Sequence, residues 1–307
     1  MKLGFIAWSF SEELLIKAAK MGYDCLEMCA DIDTSLSVAK LTDDNFKFMA
    51  ELCEKHGVSF ASISSHVKHM IPDAAARKEN MAYFIKLIQN AHKYGSNIVN
   101  TNVWADEKLP PAENIYMYKQ VFVEYAKAAE DAGVRIVFEN CPHASALVHE
   151  YPITIGNIGY SPEMWDMMFD AVPSKSIGIE FDPSHCVWMQ MDHIRIMREF
   201  KDRIYACHAK DTEIDHDLLS RIGNLLIQQS PRREGWHRHG WWRYRMPGLG
   251  EIDWVEFIAT LFEIGFDGPV FVEHEDSEFS GDRHDLGLKM SSELLLPLLK
   301  NDSARYQ

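Results

Sequence analysis

The sequence predicts an α/β fold, a single (β/α)8 barrel, on three observations. Short β-branched runs alternate with helical patterns along the whole chain, most of the runs are apolar on both faces, and eight such units fill 307 residues. Strands that alternate with helices form parallel βαβ units. A strand apolar on both faces belongs in a buried parallel sheet, and a chain of this size accommodates eight units closed into a barrel. A doubly wound open sheet is the other reading of the same alternation. No linker, composition shift or low-complexity segment interrupts the chain, so residues 1–307 are expected to form one domain.

The opening run LGFIAW supplies the first strand, at 3–8. A recurring signature marks five others: a helical pattern ends near a glycine and a β-branched run follows. The instances are AAKMGYDCLEM, CEKHGVSFASIS, AHKYGSNIVNT, AEDAGVRIVFEN and FEIGFDGPVFVEH. Glycine suits the left-handed residue that closes a helix, after which the apolar run enters the sheet. These place strands at 24–29, 58–64, 97–101, 134–140 and 269–273. KSIGIEF and DRIYACH fill the same slot without the glycine, at 176–181 and 203–209. Helical patterns separate the strands at 11–21, 42–56, 74–94, 112–132, 161–171, 191–200, 253–265 and 284–299. One stretch breaks the rhythm: residues 213–252, after the seventh strand, contain SPRREGWHRHGWWRYRMPGLGEIDW. A connection that long in a compact domain is usually functional or disordered, and its tryptophans argue against disorder.

Composition excludes several classes. The net charge of −15 argues against nucleic acid or an anionic membrane as the main partner, because phosphate binding needs a basic face. No run of eighteen apolar residues is present, so no transmembrane helix is expected. The start MKLGFIAWSF has too short an apolar stretch for a signal peptide. The six cysteines form no CxxC pair, and most lie in apolar runs where a reduced thiol behaves as a small hydrophobe. A cytoplasmic location is the natural expectation.

Catalytic residues of a (β/α)8 barrel gather at the C-terminal ends of its strands. Strand five ends in FENCPH, with Glu139 and His143; strand six in EFDPSH, with Asp182 and His185. Strand seven ends in CHAKD, with His208, Lys210 and Asp211, and strand eight in VFVEHED, with Glu273, His274, Glu275 and Asp276. The earlier strands offer Trp8, Glu27, His66 and Asn102. Four consecutive strands thus end in Glu, Asp, His and Glu. Three converging carboxylates without a cation would repel one another, and a divalent metal removes the conflict. Mixed oxygen and imidazole ligation suits Mn2+, Co2+, Mg2+ or Zn2+, and the absence of thiolates argues against a structural zinc. For each residue alone, a polar strand end bound to a helix cap or water is the plain alternative. Glu180 receives no role.

FDPSH, CHAKD, PGLGEIDW and GFDGPVFVEHED resemble the xylose isomerase-like TIM barrels, the sugar phosphate isomerase/epimerase family. The resemblance spans essentially the whole chain, with its specific part in the last four strand ends. It implies Glu139, Asp182, His208 and Glu273 as ligands of one divalent metal, Mn2+ foremost. It further implies His185 as a substrate contact and Glu139 and Glu273 as the acid/base pair of an epimerase. The endonuclease IV branch of the fold fits less well, since it uses additional metal-ligating histidines and a DNA-facing surface. HGWWRYRMPGLGEIDW resembles a subgroup that includes the α subunits of C-glycoside deglycosidases, which act on 3-oxo-glycosides together with a small β subunit. A small β subunit and an oligomeric assembly are therefore expected partners.

Trp236, Trp241, Trp242 and Tyr244 could stack on a sugar face or an aromatic aglycone, and Arg243 and Arg245 could bind substrate oxygens. The same residue types also suit a subunit interface. His66 is a further substrate-contact candidate. His143 is the candidate base for elimination, four residues past Glu139 and able to turn back over the metal, with an imidazole suited to proton transfer near neutral pH. Lys210 could neutralise a developing oxyanion, or simply pair with Asp211. The expected function is metal-assisted removal of the C2 proton of a 3-oxo-glycoside and expulsion of the C1 substituent. An epimerase or isomerase of keto-sugars, and a non-catalytic sugar-binding barrel, are the alternatives.

Overall fold

The computed structural model describes residues 1–145, 154–224, 236 and 240–300. Eight strands close a parallel barrel: β1 Lys2–Ala7, β2 Cys25–Cys29, β3 Ser59–Ser64, β4 Ile98–Thr101, β5 Arg135–Glu139, β6 Ile177–Phe181, β7 Ile204–Ala209 and β8 Pro269–Val272. Parallel pairing of Lys2 with Pro269 and of Phe5 with Val272 seals the first strand to the last. The closed barrel thereby replaces the open-sheet alternative. The helices are α1 Glu12–Lys20, α2 Asp43–His56, α3 Ala74–Asn90, α4 Ile115–Ala132, α5 Pro162–Ala171, α6 Pro183–Trp188, α7 His193–Glu199, α8 His216–Ile222, α9 Trp254–Glu263 and α10 His284–Lys300.

The glycine signature works as the chemistry requires. Gly57 and Gly133 close α2 and α4 with φ of 68° and 65°, a left-handed conformation that costs other residues strain. Val58 and Val134 then return their N–H groups to Cys53 and Ala129 before the chain enters the sheet. The core between strands and helices is apolar and dense, with Phe84, Phe122, Tyr125, Phe138, Trp165, Phe181 and Phe257 all fully or nearly fully buried.

Two features were not anticipated. A short helix, α6, follows β6 directly, because Asp182 caps it by accepting from the Ser184 N–H at 2.8 Å and Pro183 fits its first turn. The long connection after β7 is built rather than loose: Asp211–Ile214 and Trp242–Arg245 form an antiparallel ribbon, with α8 between them. Residues 225–235 and 237–239 of that connection lie outside the described residues. No helix among the described residues is long and apolar enough to cross a membrane.

The barrel pairing slips at two places, between Leu26 and Glu27 on β2 and between Ile179 and Glu180 on β6. Irregularities of this kind re-aim side chains. Both occur where a glutamate is buried against the same histidine.

Candidate metal centre

The ends of β5, β6, β7 and β8 bring Glu139, Asp182, His208 and Glu273 together, with one ligating atom from each lying within 4.8 Å of the others. Side-chain clamps fix the backbone beneath them. Asn140 Nδ2 donates to the Asp182 carbonyl at 2.9 Å while its Oδ1 accepts from the Asp182 N–H at 2.7 Å. Asn157 donates to the carbonyls of Glu139 and Cys141 at 2.9 and 2.7 Å. Such buried paired contacts hold the strand ends in one arrangement.

Asp182 is fully buried; its Oδ1 serves the helix cap, and its Oδ2 accepts no hydrogen bond. That orphaned oxygen faces the His185 Nε2 at 3.3 Å and the Lys210 ammonium at 3.1 Å. His208 Nδ1 stands 3.3 Å from Glu139 Oε1 and 3.2 Å from Glu273 Oε2. Burial alone would raise the Glu139 carboxyl, but hydrogen bonds from His185 and His208 and the charge of Lys210 hold it well below the usual range. Burial opposes ionisation of Glu273 as well, and chiefly the Lys210 ammonium brings it down to about 2. Three oxygen donors and one imidazole that converge within 4.8 Å fit a divalent cation.

Lys210 sits in the middle of these acids. Its Nζ donates to Glu273 at 2.6 Å and to Glu275 at 2.9 Å, and it is nearly fully buried. The pairing with Asp211 considered from sequence does not occur. Asp211 instead accepts from the N–H groups of Thr212, Gly248 and Ile252 and from the Trp254 indole, tying the PGLGEIDW segment to the ribbon.

A second layer lies below the centre. His208 Nε2 faces Glu180 Oε2 at 3.3 Å and Glu27 Oε1 at 3.8 Å, and Asn100 donates to Glu27 at 2.9 Å. Burial, then the charge of Glu27, push the Glu180 carboxyl well above its usual range. Burial would lower the His208 imidazole, but the carboxylates of Glu180 and Glu273 raise it well above its ordinary value. A carboxylate behind a ligating histidine orients the ring. Glu180 therefore has a place that the sequence reading left blank. The signal was parity: Glu180 and Asp182 are two apart, so a regular strand puts them on one face.

Of the expected substrate contacts, His185 lies beside the ligand cluster. It is buried, with Nε2 3.1 Å from Glu139 Oε1 and Nδ1 3.0 Å from the Tyr244 hydroxyl. Tyr244 comes from the long connection, and the Lys210 ammonium lies 4.3 Å from the centre of its ring. Trp242 is buried and stacked on Trp188, centroids 4.7 Å apart, forming a wall beside His185. Arg243 donates to Glu213 at 2.8 Å and pairs with Glu278, with Trp236 stacked on its guanidinium. Arg245 donates to Asp276 at 2.9 Å. The two arginines thus anchor the ribbon. His143 is exposed, adopts φ of 44° and lies against the Trp104 ring, tilted by 31° with centroids 4.5 Å apart. His66, at the far side of the barrel end, is held by Asp31.

The xylose isomerase-like TIM barrel family profile matches residues 15–294. Uncharacterized protein YfiH of Bacillus subtilis is 30% identical over 190 residues, 59% of this chain and 53% of that protein. The chain thus spans about half the length of that relative, 53%. Inosose dehydratase of Geobacillus kaustophilus is 26% identical over 125 residues, 41% of this chain and 38% of that protein. Among solved structures, the IolI protein with a bound zinc atom superposes with a TM-score of 0.71 at 19% identity, covering 97% of this chain and 98% of the other. The 3-keto-D-glucoside 4-epimerase YcjR from E. coli superposes with a TM-score of 0.66 at 13% identity, covering 97% and 99%. At these identities the two structures share the fold. On the family match across nearly its whole length, the chain belongs to the xylose isomerase-like TIM barrel family.

Proposed function

We propose that this protein is a divalent-metal-dependent, sugar-modifying enzyme that acts on a 3-oxo-glycoside, removing the C2 proton and eliminating the C1 substituent. The observation that carries the reading is the convergence of Glu139, Asp182, His208 and Glu273 around one point with Lys210 and His185 beside it. A bound divalent ion, Mn2+ foremost, would supply Lewis-acid polarisation of a carbonyl oxygen. Lys210 stays charged, since burial opposes its ammonium but Asp182, Glu273 and Glu275 raise it well above its ordinary range. Its fixed charge stabilises the enolate oxygen that forms as the C2 proton leaves. His143 takes that proton. The C1–C2 double bond forms as the bond from C1 to its substituent breaks, and the departing group leaves with the electron pair and is protonated. Trp188, Trp242 and Tyr244 line one side of His185 and suit a sugar face or an aromatic aglycone.

Support for the substrate class comes from YcjR, whose name places it on a 3-keto-glucoside, and for elimination from the dehydratase relative. In the alternative epimerase reading, Glu139 and Glu273, which stand 3.3 and 3.2 Å from His208 Nδ1, would serve as the acid/base pair. A small β subunit belongs to the elimination reading and is tested by copurification.

Incubation with a 3-oxo-C-glycoside and a 3-oxo-O-glycoside, with and without Mn2+, separates the outcomes. Metal-dependent release of aglycone supports elimination. Exchange of the C2 proton with solvent deuterium, without release, assigns the epimerase. His143→Ala should abolish release with the metal still bound, and an active variant removes His143 from the mechanism.

A further inference from the structure

A second group of ligating side chains lies on the other side of the barrel end. Cys29 is the last residue of β2, Asp31 follows in the next turn, and His66 lies two residues past β3. Cys29 Sγ is 3.5 Å from Asp31 Oδ2, and His66 Nδ1 is 3.4 Å from the same oxygen. One ligating atom from each of the three residues lies within 4.8 Å of the others. The other Asp31 oxygen is already occupied, accepting from the Ser65 hydroxyl at 2.9 Å and the His66 N–H at 2.6 Å. Those two bonds aim Oδ2 at the thiol and the imidazole.

The spacing is that of a tetrahedral site. With Zn–S of about 2.3 Å and Zn–N and Zn–O of about 2.0–2.2 Å, tetrahedral angles put ligand atoms about 3.4 Å apart for N and O and about 3.6 Å apart for S and O. The separations found are 3.4 and 3.5 Å. Cys29 forms a buried floor at 1% exposure, while the side chains of His66 and Asp31 are 29% and 30% exposed. An ion can therefore enter from solvent, and the solvent side leaves a fourth position open. The exposed Trp8 ring stands 6.0 Å from the His66 ring beside that opening.

We propose that Cys29, Asp31 and His66 form a second, three-ligand metal site that takes Zn2+ and leaves one position for water or a substrate oxygen. A thiolate beside an imidazole selects a borderline-soft ion over Mg2+ or Mn2+, which prefer oxygen donors such as those of the first centre. Three protein ligands with an open fourth position is the pattern of reactive rather than structural zinc. His66 thereby acts as a ligand, where the sequence suggested a direct substrate contact. The site stands independently of the reaction proposed above, because it shares no residue with the Glu139, Asp182, His208 and Glu273 centre.

The test uses the full chain, stripped of metal and titrated with Co2+, then with Zn2+ as competitor. Thiolate ligation gives Co2+ a sulfur-to-metal charge-transfer band in the near ultraviolet, which oxygen and nitrogen ligands do not produce. Wild type should bind two equivalents, one of them with that band. Cys29→Ser should lose the band and one equivalent while retaining the other, which also shows that the variant is folded. His66→Gln should weaken the second equivalent by about tenfold or more but keep the band at saturation. Cys141→Ser is the control, since Cys141 lies with Glu139 and His185 in another candidate group. The proposal is overturned if wild type shows no thiolate band, if the band survives in Cys29→Ser, or if it disappears in Cys141→Ser.

Discussion

Replacing Lys210 with methionine removes the ammonium that holds three acids of the centre together. Its Nζ lies 2.6 Å from Glu273, 2.9 Å from Glu275 and 3.1 Å from Asp182, inside a nearly closed space. Removing one partner of a buried charged group costs about 3–5 kcal/mol. Glu275 is 46% exposed on its side chain and can turn to water, so the lower end, about 3 kcal/mol, applies. With an unfolding entropy of about 2.1 cal/mol/K per residue over 307 residues, the metal-free Tm should fall by about 5 °C. The effect on metal binding has the opposite sign. A divalent ion held by Asp182 and Glu273 would share their oxygens with the ammonium and be repelled by it. If that competition takes half of the stabilisation, about 1.5 kcal/mol, the variant should bind Mn2+ about tenfold more tightly than wild type. Calorimetric titration of metal-stripped protein measures this, and thermal scans with and without Mn2+ measure the rest. An affinity that is unchanged or weaker in Lys210→Met refutes the picture of Lys210 as the cation of the metal-free site.

Three further outcomes follow from the same geometry. Glu180→Ala should lower metal affinity about 10–100-fold by freeing the His208 ring. An unchanged metal affinity in this variant contradicts the orienting role. Tyr244→Phe should cost about 1 kcal/mol in denaturant unfolding through the lost contact with His185, and should lower kcat with metal content unchanged. Glu273 has a folded value of about 2 against an ordinary 4.5. Its contribution to stability is therefore present above about pH 4.5 and lost as pH falls through about 2. Metal-free Glu273→Gln should show a shallower acid unfolding limb than wild type, and an identical limb rules out this carboxylate as its source.

How much of this was legible in sequence depended on distance along the chain. The eight strands could be read because each is a local apolar run, closed in most cases by a glycine. The four ligand candidates could be read because a parallel barrel brings all strand ends to one face, so adjacency in order becomes adjacency in space. Tyr244 was placed in the right loop but not against His185. That contact requires the ribbon formed by Asp211–Ile214 and Trp242–Arg245, whose arginines find Glu213 and Asp276 thirty residues away. His143 was legible only as a position four residues past Glu139. Its left-handed φ of 44° and the Trp104 ring 4.5 Å away depend on contacts that spacing does not give. Glu27 was named as a strand-end candidate, but its grouping with Glu180 around His208 was hidden, because a carboxylate within an apolar run has no visible partner until the register of β2, β6 and β7 is known.

The two layers of acids explain one another. Glu139, Asp182 and Glu273 face the Lys210 ammonium and the His208 and His185 imidazoles, so each acid of the upper layer has a basic partner. A divalent ion held by Glu139, Asp182, His208 and Glu273 would take a deprotonated nitrogen of His208. Burial and the charge of Glu27 push the Glu180 carboxyl well above its usual range, while His208 brings Glu27 down against its burial. The layer below the ligands thus works as a fixed dipolar support for the histidine. A barrel lumen filled only with Val, Ile and Leu would remove the Glu180 and Glu27 carboxyls that face His208 Nε2 at 3.3 and 3.8 Å.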